Sequence, residues 1–420
     1  MKIPTSFSNI LKNRNFLKLW VSQIFSMSAT NMLTFLLAIR IYQLTGNNFI
    51  VSVYVALMSI PPVLFSIIAG AFADNNNRKK ILTTSNILRM SILVIFLFVN
   101  ENPYILMVLA FFVSTISQFF GPAQSASIPN LVSRKQLFLA NSMFMFTTYT
   151  AFLIGYSLAG PLLFYLNDRP VFIILLIMYS IAMIANIFLP NLKHHLKIGE
   201  KTIEYSNALK KLFHDILVGW KAIKNNKPVL YSILQMTIVL AAERGVIALL
   251  PALADRFFKY STDEMSYYLL IPVGLGAFIG AILINKVKKY LPKRKIIYWS
   301  LIVDGFVLLA IPFYYVVLPW GKVWLKMATS LMAFASGMAD VFIVITAQTL
   351  IHETSADENR GRIFGNLMAF VNIVSLPLIL IVGYLANIFV PTEIIGVMGV
   401  VVTVFGLISR FFYKRSLVKV

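Results

Sequence analysis

The 420-residue chain has no cysteine, which excludes disulfides, thiolate metal sites and cysteine nucleophiles together. Acidic residues are scarce: 16 Asp and Glu stand against 37 Lys and Arg, and charged residues of both signs make up only 13% of the chain. A soluble chain carries about 25%. The four histidines, His194, His195, His214 and His352, fall between apolar runs and read as loop residues rather than convergent metal ligands. No G-x-x-x-x-G-K-[ST] phosphate loop occurs, so ATP-driven work by this chain alone is unsupported. Neither a catalytic centre, a metal nor a cofactor is expected. What is abundant is apolar: 59% of residues are hydrophobic and the mean hydropathy is +0.79, a surplus that no core can bury and that must face lipid.

Twelve apolar runs lie near 16–43, 49–73, 81–99, 104–125, 137–165, 170–190, 228–257, 265–285, 296–318, 323–350, 362–389 and 393–413. Each is long enough to cross hydrocarbon as a helix, which takes about 20 residues, and none shows the strict alternation of a barrel strand. The first run contains Arg40 and no A-x-A cleavage site follows it; it reads as a retained span rather than a signal peptide. The expectation is an all-α integral membrane protein with twelve transmembrane helices in two pseudo-symmetric six-helix bundles.

The breaks alternate in charge. Arg78-Lys79-Lys80, Arg134-Lys135, the lysines from Lys193 to Lys227, the run from Lys286 to Lys295, and the basic residues at both ends all fall on one side. Positive residues mark cytoplasmic loops, so both termini are expected in the cytoplasm and the whole chain in the cytoplasmic (inner) membrane. Nucleic-acid binding, the usual alternative for a basic chain, needs the charge gathered on one polar module, and here it is dispersed. The break from Pro190 to Pro228 carries Leu209, Leu212, Phe213, Ile216, Leu217, Trp220 and Ile223 at helical spacing among lysines, the pattern of an amphipathic surface helix. It separates an N-terminal bundle (1–190) from a central loop (191–227) and a C-terminal bundle (228–420). Gly70-Ala71 recurs as Gly280-Ala281, and Ala123-Gln124 as Ala347-Gln348. Those echoes point to an internal duplication of the kind secondary transporters carry.

Residues 70–82 read G-A-F-A-D-N-N-N-R-K-K-I-L, which resembles the span 2–3 signature of the major facilitator superfamily, G-x-L-A-D-R-x-G-R-K-x-x-L. Gly70 matches its close-packing glycine, Asp74 its acid, and Arg78 with Lys79 its basic pair; Asn75 and Asn77 depart from it. The resemblance implies a conformational latch here, in a looser form, with Arg89 able to reach towards Asp74. Phe16 to Gln23, Gly121 to Val132 and Glu358 to Phe364 are similar to the branch of macrolide-efflux and siderophore-export proteins. Gly155 and Gly160-Pro161 in span 5 resemble the glycine-proline motif of the family's antiporters, although its second glycine pair is missing. Phe111-Phe112-Val113-Ser114 stands where many proton antiporters of the family carry an arginine, so that proton relay does not carry over.

Ionisable side chains at membrane depth are costly and mark function by default. Within spans these are Glu243, Asp304 and Asp340, with Arg40, Arg89 and Arg244. The family resemblance places spans 1, 4, 7 and 10 on the central cavity, which favours Glu243 and Asp340 as coupling or substrate-contact residues. Asp304, eight residues into its run, is expected to be structural. Adjacent helical positions point about 100° apart, so Glu243 and Arg244 are expected to find different partners. Arg40 is a candidate for an outer gate, and Asn31 for hydrogen bonding a ligand.

These readings predict a monomeric exporter of a lipophilic or amphipathic small molecule of the drug, macrolide or siderophore class. It works by alternating access among membrane lipids, with protons as the coupling ion and no part for nucleic acid. A lysophospholipid flippase on the same fold and a non-transporting receptor are the alternatives.

Overall fold

In a computed structural model of the chain, residues 10–99, 101–166, 168–192, 220–221, 223–224, 226–253, 262–317, 321–354 and 357–415 are described. Most of the central loop, including the amphipathic segment up to 219, lies outside them. Among the described residues twelve long helices follow one another: α1 Arg14–Thr45, α2 Asn48–Asn75, α3 Arg78–Phe98, α4 Pro103–Leu131, α5 Leu137–Leu166, α6 Asp168–Ile187, α7 Lys227–Ala252, α8 Ile271–Tyr290, α9 Lys293–Val317, α10 Gly321–Thr354, α11 Asp357–Leu385 and α12 Pro391–Arg415. Eleven of the described helical stretches are long and apolar enough to span a membrane, and α11 contributes a shorter apolar stretch, Phe370–Leu385. The protein is an all-helical, multi-pass membrane protein.

The helix boundaries follow local chemistry. Asn102 accepts hydrogen bonds from the backbone N–H of Tyr104 and Ile105 while Pro103 opens α4, a cap followed by a proline whose missing N–H costs nothing there. Asn77, one of the departures from the latch signature, caps α3 by accepting from the Lys79 N–H. Gly46 turns the chain between α1 and α2 at φ 59°, a left-handed conformation that favours glycine. α4 runs on through Pro122 and Pro129 to Leu131, beyond the end the apolar run suggested.

The chain forms two compact units, residues 1–45 with 57–201 and residues 46–56 with 202–420. The first stretch of α2 thus belongs to the second unit, where the Asn48 side chain donates to the Ala386 carbonyl at 3.1 Å and Ala56 packs with Ala248 and Ile379. In the first unit α1 packs on α4, α5 and α6, and α3 on α4 and α6. In the second, α7 packs on α10, α11 and α12, and α9 on α10 and α12. Each of these five pairings in the first unit recurs six helices later, as a duplicated bundle would have it.

α1 and α7 are the most enclosed, with 61% of their apolar windows buried against 50% or less elsewhere. Large apolar side chains such as Phe98, Tyr104, Phe306, Leu331 and Val397 face outwards, where lipid takes the place of a core. Without a hydrophobic drive between helices, close packing of small residues holds them together. A Cβ on Gly155 of α5 would lie 2.8 Å from the Met32 nitrogen of α1, and one on Gly305 of α9 2.9 Å from the Gly399 carbonyl of α12. Gly155 is thus a packing glycine. Gly70 is not, because a Cβ there would meet nothing within 4 Å among the described residues.

Candidate functional site

The charged residues of the second unit converge. Glu243 and Arg244 stand on α7, Asp304 on α9 and Asp340 on α10, and the three carboxylates lie within electrostatic reach of one another, with Arg244 beside Glu243. Glu243, Arg244 and Asp340 are half-buried, while Asp304 is 4% exposed. Arg244 donates to the Asn372 side-chain oxygen of α11 at 2.6 Å, and Asp304 accepts from the Ser336 hydroxyl at 2.5 Å. Neither Glu243 nor Asp340 has an ion-pair or hydrogen-bond partner among the described residues. Among the described residues, three carboxylates here face one guanidinium at membrane depth. Such a cluster favours uptake of a compensating positive charge, either a proton or a cationic ligand.

Asp304 belongs to this cluster. The sequence suggested a structural residue near one surface, but α9 begins at Lys293, and eleven residues at 1.5 Å each put Asp304 about 16 Å along the helix, near its middle. The signal was available in the basic run Lys293-Arg294-Lys295, which is part of the helix rather than loop. Ser336, four residues before Asp340 and so on the same helix face, was missed because a serine in an apolar helix carries no signal of its own.

The first unit holds the opposite charge. Arg89 lies eleven residues into α3, as Asp304 does in α9, and is 2% exposed. It donates to the Ser26 hydroxyl at 2.7 Å and the Asn86 side-chain oxygen at 3.3 Å. Its guanidinium sits 4.7 Å from the Phe120 ring centroid and 5.6 Å from that of Tyr179, and aromatic faces of this kind attract a desolvated cation. The Tyr179 hydroxyl in turn lies 2.9 Å from Thr30. Among the described residues Arg89 has no carboxylate partner, so it does not reach Asp74 as the latch reading suggested. Ser26→Ala is expected to destabilise the protein by about 1.5–3 kcal/mol, the loss of a hydrogen bond to a buried charge, measured as a drop in thermal stability in detergent.

The latch itself is slight. Asp74 pairs with Arg78 at 3.8 Å, but the Asp74 side chain is 71% exposed, and such surface pairs contribute about 0–1 kcal/mol. Arg78 is anchored instead by its donation to the Ala126 carbonyl at 2.6 Å. Lys79 takes part through its backbone N–H, bonded to Asn77. Arg40 is half-buried near the end of α1, and Asn31, also half-buried, makes no hydrogen bond among the described residues. Pro161 lies within α5 together with Gly155 and Gly160. Among the described residues no group of three or more His, Cys, Asp or Glu could hold a metal ion.

Residues 19–365 match the family model described as Major Facilitator Superfamily. The chain belongs to that superfamily. Superfamily relatives include the putative bacilysin exporter BacE of Bacillus subtilis (strain 168), 26% identical over 357 residues that cover 80% of this chain and 83% of that one. Another is the multidrug resistance protein MdtG of Salmonella typhi, 26% identical over 369 residues covering 86% and 85%. Among solved structures, a POT family transporter in complex with 5-aminolevulinic acid superposes at a TM-score of 0.74 over 96% of both chains at 12% identity, a likeness of fold alone. The protein is a secondary transporter, not an enzyme.

Proposed function

We propose that the chain is a monomeric, proton-coupled exporter of lipophilic or amphipathic small molecules in the cytoplasmic membrane, with both termini on the cytoplasmic side. The observation that carries this reading is the cluster of Glu243, Asp304 and Asp340 on three helices of one unit, with Arg244 as the one cation beside it among the described residues. An excess of carboxylates accepts either protons or an organic cation, and binding that excludes one in favour of the other is the physical requirement of antiport. The aromatic-rich, charge-poor composition supports a lipophilic cargo, and the names of the exporter relatives support the outward direction. The six-helix repeat, with bundles at 1–190 and 228–420, supports alternating access in which one bundle rocks against the other.

The test is uptake of a panel of fluorescent lipophilic cations and macrolides into inside-out vesicles containing the protein. Accumulation of at least one compound that collapses on dissipating the pH gradient is expected. Movement of labelled lysophospholipid alone would make the protein a flippase, and movement of nothing would return it to the non-transporting readings.

A further inference from the structure

A second polar site lies away from the acid cluster, where α8 ends and α9 begins. Asn285 and Lys288 of α8, Lys293 at the first position of α9, and Thr346 and Thr349 of α10 line a small open cleft whose apolar wall is Ile284 and Ile345. The helices that bound it are membrane spans, so their ends stand at the depth of lipid headgroups.

The polar groups are unequal. The Thr349 hydroxyl donates to the Ile345 carbonyl at 2.7 Å, the usual local bond of a helical threonine. Thr346 makes no such bond: it is 3% exposed and its hydroxyl oxygen has no hydrogen-bond partner among the described residues. A buried hydroxyl left unpaired costs about 1–3 kcal/mol, a cost that a ligand in the cleft removes. Lys293 is held by both carboxylate oxygens of Glu353, whereas Lys288 has no partner among the described residues. The cleft therefore offers a free ammonium, an orphaned hydroxyl, an exposed amide and the positive end of α9, from three helices at once. Lys286, Lys289, Arg294 and Lys295 lie beside it in sequence.

Donors converging from several directions suit a tetrahedral oxyanion better than a planar carboxylate, and basic pockets between spans at headgroup depth suit lipid phosphates. We infer that this cleft is a binding site for an anionic phosphate group, as carried by an acidic phospholipid headgroup or by free phosphate. Lys288 supplies the charge, and Thr346 donates the hydrogen bond that orders the phosphate oxygen.

The experiment is thermal unfolding of the purified full chain in detergent, followed by tryptophan fluorescence. It is titrated separately with phosphatidylglycerol in mixed micelles, with phosphatidylcholine, and with inorganic phosphate. Saturable stabilisation by phosphatidylglycerol or by phosphate is expected, the responding probe telling lipid from free ion. Lys288→Ala and Thr346→Val should each raise the half-saturating concentration roughly tenfold, the scale of one hydrogen bond to a charged group, and Thr346→Ser should restore it. Equal stabilisation by phosphatidylcholine, an unchanged response in both variants, or no response to either probe would overturn the inference. Should a variant unfold unliganded, Lys288→Gln, which removes the charge and keeps most of the reach of the exposed side chain, gives the same reading.

Discussion

Asp340→Asn is expected to reduce pH-gradient-driven efflux by about 5- to 150-fold, the range of a coupling free energy of about 1–3 kcal/mol, while leaving the protein folded. Asp340 is half-buried and has no ion-pair or hydrogen-bond partner among the described residues, so the amide strands no buried cation. Glu243→Gln should behave alike, because Arg244 keeps its bond to Asn372. Asp304→Asn should act differently: the amide can still accept from Ser336, so folding survives, and the loss of one of three mutually repelling charges should alter the pH dependence of efflux. The check is initial efflux rate from proteoliposomes across a range of pH, alongside thermal stability of each variant. If the three substitutions are additive, the carboxylates work independently; residues in one charge network should instead show coupling.

The largest structural effect is expected at the crossing of α8 and α10. A Cβ on Gly276 would lie 2.0 Å from the Phe334 carbonyl oxygen, and one on Gly337 2.0 Å from that of Val273. The obstruction on each side is backbone, which cannot rotate out of the way as a side chain can. Gly276→Ala and Gly337→Ala must therefore push the helices apart, at a cost of about 1–3 kcal/mol each, and Gly337→Leu should abolish folded protein. Gly121 is the control: a Cβ there meets nothing within 4 Å, so Gly121→Ala should be neutral or stabilising by up to about 1 kcal/mol. Monodispersity and thermal midpoint in detergent measure all four. Equal tolerance of alanine at positions 121, 276 and 337 would contradict the packing described.

The helices were legible because membrane spans announce themselves by length and apolarity, and their ends by residues such as Asn102-Pro103 and Gly46. Where a helix overran its apolar run, as α4 did through Pro129 and α9 did back to Lys293, the sequence understated it: proline at depth and lysine at a helix end are both compatible with helix. Depth along a span could be counted; direction around it could not. Glu243 and Asp340 stood out as ionisable groups in spans, but their convergence with Asp304 depends on which faces α7, α9 and α10 turn to each other. Arg89 shows the same limit from the other side. Its partners Ser26, Phe120 and Tyr179 come from three other helices, and the sequence offered only its place within a span. Gly70 fitted its signature although a Cβ there would meet nothing within 4 Å among the described residues, and Gly155 takes its place by a backbone approach that no motif expresses.

The central claim is that the carboxylate cluster exchanges protons for a cationic cargo. Proton release tests it most directly: a transported lipophilic cation is added to the purified protein in weakly buffered detergent, and the pH is recorded. Release of protons in proportion to bound cation, suppressed in the Glu243→Gln/Asp340→Asn double variant, is the predicted result. Binding of the cation with no proton release, or with the same release from the double variant, would contradict it.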